Sequence, residues 1–306
     1  MNKNLVEECE ITYYRCLNRV IRNLRGRQVG QRISSWPFLA CDTYAGESSF
    51  ILNKDRNLAS HLLTLKQRLP LRSCYASRKN VAWLLEVLEK SGRMKYANYL
   101  ILGDSDESIE SADLIPFKNY FDYILSTNLT SENPKLGIFG LPIGLENKSY
   151  LSSGLLNSYK KTPSFDVADR KFRILVSWND ETFSPYRSKV KLELLSHENA
   201  KVLNRRVPFQ LIHRLTRASL MVACPRGNGF DTHRIWESLY LGALPVMTKT
   251  DFLPVFSRWP IFVVDSWESL AAMNRNELER IYGSYTSSLV SFRASAKDFM
   301  EGIFHD

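Results

Sequence analysis

Residues 219–247 read SLMVACPRGNGFDTHRIWESLYLGALPVM, and this stretch decides the fold class. An apolar strand runs into Cys224-Pro225, and the turn Arg226-Gly227-Asn228-Gly229 follows it. Asp231 or Thr232 can cap a helix that stops before Gly242, and Pro245 opens the next strand. Strand, glycine turn and capped helix together present backbone N–H groups and a positive helix end to a phosphate. Glycine lets the backbone approach such a ligand closely. Arg234, in the first helical turn, can set its fork on a pyrophosphate. Glu237 shares that face three residues on, where a carboxylate can accept from two ribose hydroxyls. The same Arg/Glu spacing also suits a plain surface ion pair. The turn has no G-K-[ST] and is not G-x-G-x-x-G, which turns the reading away from ATPases and NAD enzymes.

Working outward, the alternation of apolar runs and helical patterns continues. Residues 244–247 and 261–264 are strand-sized, and 266–274 and 276–304 follow helical periodicity. Upstream, 172–178 reads as a strand and 186–196 as a helix. Residues 151–170 (LSSGLLNSYKKTPSFDVADR) are polar, Ser-rich and interrupted by Pro163, as an interdomain linker would be. Before them, 38–40, 74–75, 99–102 and 123–125 are short apolar strands, and 135–150 adds another with a Pro/Gly loop. Helices are expected over 5–24, 55–68 and 79–92; the last carries Val81, Leu84, Leu85 and Leu88 on one stripe. The expectation is an α/β protein of two Rossmann-like domains, 1–160 and 161–306, facing across a cleft. The final helix can pack back on the first of them.

The composition agrees with this and narrows the function. The chain has 306 residues, 44% hydrophobic and 24% charged, which excludes disordered and low-complexity classes. Its net charge of +9 calls for an anionic partner: nucleic acid, a membrane surface or a phosphorylated small molecule. The basic excess concentrates in 1–40 and 54–79, where a solvated helix face competes with peripheral contact to an anionic membrane. No run is long enough to cross a bilayer, and the start carries no apolar signal segment, so a cytoplasmic location is expected. Five cysteines without C-x-x-C argue against disulfide pairing or a Cys zinc site, and the five histidines are scattered. No metal and no resident cofactor are expected.

The run from Cys224 to Val246 resembles the C-terminal signature of exostosin-like glycosyltransferases of the family 47 type, roughly S-P-x-G-x-G-x-D-x-x-R-x-W-E-x-L-x-x-G-x-x-P-V. Trp178, the Asp265-Ser266-Trp267-Glu268 run and the LPIGLEN loop at 141–147 fit the same family. The resemblance implies a GT-B fold, with a nucleotide-sugar, UDP-sugar as first choice, on the second domain and a glycan or glycolipid acceptor on the first. Carried onto this chain, it makes Glu237 the ribose ligand and Arg234 a diphosphate ligand. Gly227, Asn228 and Gly229 form the phosphate loop, and Arg187 is a further diphosphate ligand. Metal independence is implied as well, since arginines and a helix end neutralise the leaving group. Eight residues past Glu237 stands Pro245, so the E-x7-E of retaining relatives is absent, in keeping with inverting chemistry.

Inverting transfer needs a base for the acceptor hydroxyl. Gly103-Asp104-Ser105-Asp106-Glu107-Ser108 follows the strand at 99–102, where α/β sites form. Asp106 matches the Asp of the family's T-H-N-S-D-E, while Gly103-Asp104 replaces His-Asn and leaves Asp104 as a second candidate. Asp42 is a third, after the strand at 38–40. Asn128 and 141–144 can line the interdomain face, and His233 neighbours the phosphate loop. Two other classes compete: a nucleotide-binding module without catalysis, and a basic nucleic-acid binder. The second lacks RNP, KH and zinc-finger signatures, so no nucleic-acid partner is expected.

Overall fold

The computed structural model describes residues 49–52 and 71–304, apart from 79–80, 91, 93–94, 96, 104, 146–158, 160, 196 and 205–206. The expected helices at 5–24 and 55–68, the strand at 38–40, and both Asp42 and Asp104 lie outside the described residues.

Two parallel sheets of five strands organise the chain. The first contains β1 (Ser49–Leu52), β2 (Leu71–Ser77), β3 (Ala97–Gly103), β4 (Phe121–Ser126) and β5 (Ile138–Gly140), side by side in chain order. Helix α1 (Val81–Lys90) connects β2 to β3 and buries Leu84, Val87 and Leu88, as its apolar stripe requires. The short α2 (Ser111–Leu114) and a 3-10 turn (Ile115–Asn119) connect β3 to β4. Leu84, Leu88, Leu100, Leu102, Leu114, Phe117 and Ile124 belong to one core.

The second sheet contains β6 (Phe172–Val176), β7 (Ala200–Val202), β8 (Ser219–Ala223), β9 (Leu244–Thr248) and β10 (Phe262–Val264), in the order β7-β6-β8-β9-β10. Its helices are α3 (Ser184–Leu195), α4 (Phe209–Arg217), α5 (His233–Tyr240), α6 (Trp267–Ala271) and α7 (Arg275–Phe304). Every residue of β8 and β9 is buried, which is why their sequences are continuous apolar runs with no alternation. Arg170, 2% exposed, holds the base of this sheet by donating to the carbonyls of Arg217, Ser219 and Gly242 at 2.7, 3.0 and 2.7 Å. Leu278, Tyr282, Leu289 and Phe292 set this part of α7 into the second core.

Leu145 and Tyr159 already belong to the second core. Strands β1 and β7 and helix α4 have no counterpart in the sequence reading. β1 and β7 are four and three residues long, too short for a period to show. Helix α4 mixes Gln210, Arg214 and Arg217 among its apolar positions.

Candidate functional site

In the second sheet the chain runs outward from β6 to β7 and returns to β8 on the other side of β6. At such a reversal the loops leaving adjacent strands diverge and open a crevice at the strands' C-terminal ends. Those loops are 177–183 after β6 and 224–232 after β8, so the glycine turn lies at the position where α/β sheets bind ligands.

The backbone of the turn can be accounted for group by group. Arg187, from the start of α3, donates from Nη2 to the Pro225 carbonyl (3.3 Å) and from Nε to the Arg226 carbonyl (2.9 Å). Arg226 donates from Nε to its neighbour Gly227 (3.4 Å) and from Nη2 to Asn228 (3.0 Å), and the Gly229 carbonyl accepts from the Gly227 N–H (3.0 Å). All five carbonyls from Pro225 to Gly229 are thus turned toward protein donors. The Arg226 N–H is taken by Asp251 Oδ2 at 3.2 Å. Among the described residues, the N–H groups of Asn228, Gly229 and Phe230 donate to no protein acceptor. Three consecutive free N–H groups form a nest for an anion. Gly227 is required by close approach: a Cβ there would lie 3.1 Å from Arg187 Nη2. Arg187 is 8% exposed, and its three hydrogen bonds, including one to the Asn179 carbonyl, go to backbone. It shapes the turn from behind.

Helix α5 follows with Thr232 in the N-cap position, but no side chain caps it. Thr232 Oγ1 is buried without a partner, and Asp231 is occupied elsewhere, so the expected cap is not formed. Arg234 Nη1 lies 2.9 Å from Glu237 Oε2, with side-chain exposures of 16% and 3%. The pair is therefore interior, not a surface pair. The distance is short, yet Arg234 Nη1 makes no hydrogen bond, because its N–H is not directed at the carboxylate. Behind the pair, His213 is held neutral, burial and the Arg234 charge pressing its pKa down to about 3, and Nε2 lies 3.0 Å from the Tyr159 hydroxyl. Cys224 is a free thiol at the end of the strand, and burial pushes it up to about 12, so it is no nucleophile.

The first sheet meets this turn edge to edge. After β3, the acidic loop is fixed through Ser105: Arg78 Nη2 donates to its hydroxyl at 2.9 Å, and Asn128 Nδ2 to its carbonyl at 3.1 Å. Asp106 itself is exposed. Asn128, 1% exposed, sits at φ 51°, a left-handed conformation that asparagine tolerates. Its Oδ1 accepts from the Asp231 N–H at 2.9 Å, which joins the two sheets. A Cβ on Gly229 would stand 3.0 Å from Asn128 Nδ2, from Asn128 Oδ1 and from the Asp106 carbonyl. Only glycine lets the turn after β8 lie this close to the acidic loop.

Asp231 is the second joint. Its Oδ2 accepts from the Ile143 N–H and its Oδ1 from Trp236 Nε1, both at 2.7 Å. Burial pushes its carboxyl up to about 7, against the opposing pull of those two hydrogen bonds and the His233 charge. His233 Nδ1 lies 2.8 Å from the Gly144 carbonyl, and Arg258 Nη2 reaches both Glu132 oxygens at 2.7 Å.

The fold thus gathers Asp106, Asn128, 141–144, Gly227, Asn228, Gly229, Arg234 and Glu237 along one seam, with Arg187 behind it. Sequence reasoning passed over Arg226, Phe183, Tyr186 and Asp251. Tyr186 donates to Asp251 Oδ2 at 2.6 Å and accepts from Trp267 Nε1 at 3.0 Å, which ties α3, α6 and the glycine turn together. Nothing local marks these residues; Arg226 alone, beside the glycines, carried a signal. Among the described residues, no group of three or more His, Cys, Asp or Glu side chains is arranged to hold a metal ion, and no helix is long and apolar enough to cross a membrane.

No protein-family model matches the chain, and no curated protein matches it. Among solved structures, it is similar to a trehalose-6-phosphate synthase described as an enzyme of glycosyl transfer with retention (TM-score 0.44, 12% identity, covering 81% of this chain and 78% of that one). It is also similar to an alpha,alpha-trehalose-phosphate synthase (UDP-forming) from Burkholderia vietnamiensis (TM-score 0.44, 10% identity, 81% and 79%). A third is an E. coli structure bound with UDP-2-fluoro glucose (TM-score 0.45, 12% identity, 80% and 77%).

Proposed function

We propose that the chain is an inverting glycosyltransferase of the GT-B type, exostosin-like, that moves a sugar from a nucleotide-sugar to a hydroxyl of a glycan or glycolipid. The observation that carries this reading is the meeting of the acidic loop at Asp106 with the anion nest at Gly229. A base and a diphosphate site from different sheets stand within one substrate's reach.

The Asp106 carboxylate takes the proton of the acceptor hydroxyl as that oxygen bonds to the anomeric carbon. The bond from that carbon to the diphosphate oxygen breaks, and the diphosphate carries off the electron pair. Its charge is met by the N–H groups of Asn228, Gly229 and Phe230 and by Arg234, which act in a fixed geometry and need no reorganisation. Glu237 turns from Arg234 to the ribose hydroxyls. This step uses no resident cofactor and no metal, and UDP-sugar is the first donor to try.

A thermal-shift screen with UDP, GDP, CMP and their sugars, followed by a hydrolysis assay on each hit, tests the reading. Stabilisation by one nucleotide and slow hydrolysis of its sugar are expected, with anomeric inversion by NMR. Stabilisation without hydrolysis or transfer from any donor would leave a nucleotide-binding module in its place.

A further inference from the structure

Arg226 is the one guanidinium in the seam that donates to the turn of which it is itself a part. Its plane is held on two sides: Cζ lies 3.8 Å from the Phe230 ring centroid and 4.8 Å from that of Phe183. Phe183 adopts φ 54°, and it and Asn128 are the two non-glycine residues with positive φ among the described residues. A bulky side chain there is a conformational outlier, and such outliers persist where surrounding structure imposes them. Phe183 is also 40% exposed, so burial of its own ring does not explain the conformation. Tyr186 flanks it at 5.6 Å between centroids, and Thr182 Cγ2 would stand 3.4 Å from a Cβ on Gly227. The loop after β6 is thus bent backward and pressed against the phosphate turn.

We infer that Arg226 is a positioning residue for the donor diphosphate, clamped between Phe183 and Phe230 so that it draws in the Gly227 and Asn228 carbonyls. A peptide unit whose carbonyl is turned inward has its N–H turned outward. Engaging the Gly227 carbonyl orients the Asn228 N–H, and engaging the Asn228 carbonyl orients the Gly229 N–H. These are two of the three groups of the nest. The strained Phe183 backbone is the price of the second ring face over the guanidinium. Arg226 needs no contact with the ligand to do this, which separates it from Arg234. The inference rests on the donor-site reading above and assigns the preorganisation of that site to a side chain.

Phe183→Gly separates this role from a structural one. Glycine adopts positive φ without strain, so the variant should melt at the wild-type temperature or higher, while losing one face of the clamp. Isothermal titration with inorganic pyrophosphate and with UDP should then show both dissociation constants raised by about 5- to 20-fold. Phe183→Tyr, which keeps the ring, should restore both. Arg226→Lys, which keeps the charge but not the fork, should raise them at least as much. Wild-type affinity in Phe183→Gly and Arg226→Lys would overturn the inference and leave the donor-site reading standing. A wild-type protein that binds neither ligand would overturn that reading and the inference with it.

Discussion

Two loops leave parallel strands and meet at one seam, and they are built in opposite ways. In the turn after β8, all five carbonyls from Pro225 to Gly229 are bound by protein groups, two of them by buried Arg187. In the loop after β3 the backbone is held on both sides of the candidate base, by Ser105, 8% exposed and bonded to Arg78 and Asn128, and by Ile109, bridged to the Asn128–Thr130 backbone, while Asp106 is exposed. One loop is set to hold a fixed charge, the other to present a side chain from a held backbone. Under the proposed function, the first loop would meet a constant diphosphate and the second would reach an acceptor hydroxyl.

The strongest way to break the comparison is at the base. Asp106→Asn is expected to cut kcat by about 10²- to 10⁴-fold with UDP affinity unchanged, as steady-state rates and calorimetry would show. If it keeps wild-type turnover, Asp104→Asn and Asp42→Asn are the next variants, and the assignment of the exposed loop is wrong. Glu237→Ala tests the opposite loop. It should abolish measurable UDP stabilisation in a thermal-shift assay and leave Asp106 in place.

The joints between the loops are the next test. Asp231 has a higher pKa in the fold, about 7, than the ordinary 3.8 it recovers on unfolding. An acid raised in this way binds its proton more tightly when folded. Its contribution to stability is full below about pH 4 and is lost as pH rises toward 7. The loss amounts to at most about 4 kcal/mol. Denaturant melts of wild type against Asp231→Asn should differ in slope over that window and run parallel above pH 8. A constant difference throughout would show that Asp231 is ionised at no cost.

Asn128→Gly comes next in size. Glycine keeps the positive φ while removing the bonds to Ser105 and Asp231, so urea melts should show a loss of about 1–3 kcal/mol. Turnover should fall more than UDP affinity, since the acidic loop loses its tie to the donor turn. The smallest effect is expected from Ser105→Ala, about 1 kcal/mol, with a matching modest drop in kcat.

Much of this could be read before the fold was known, and the limits were physical. Strands β3, β4, β6, β8, β9 and β10 announced themselves because buried parallel strands are continuous apolar runs, and α1 because its stripe is regular. Gly227, Gly229, Arg234 and Glu237 stood out because a glycine turn between a strand and a helix presents backbone N–H groups and a positive helix end to an anion, although such turns also occur without a ligand. The resemblance implies a diphosphate-ligand role for Arg187, and in the fold its fork is engaged with the turn's carbonyls, partners that no spacing encodes. The spacing of Arg234 and Glu237 suited a ligand pair and a surface ion pair equally, and only the fold shows the two to be interior, since burial depends on what packs over α5.

The sequence by itself determined the α/β class, the strand–turn–helix at 219–247 and the acidic loop after β3, because each depends on neighbours along the chain. Only the tertiary structure decided the order β7-β6-β8-β9-β10, the contact of Gly229 with Asn128 and the Asp106 carbonyl, and the sandwich of Arg226 between Phe183 and Phe230. Apart from Arg226 on Phe230, those are contacts between residues tens to more than a hundred positions apart. Their geometry is set by which strands pair and by which backbone groups lack a partner, and neither is a property of any local run of residues.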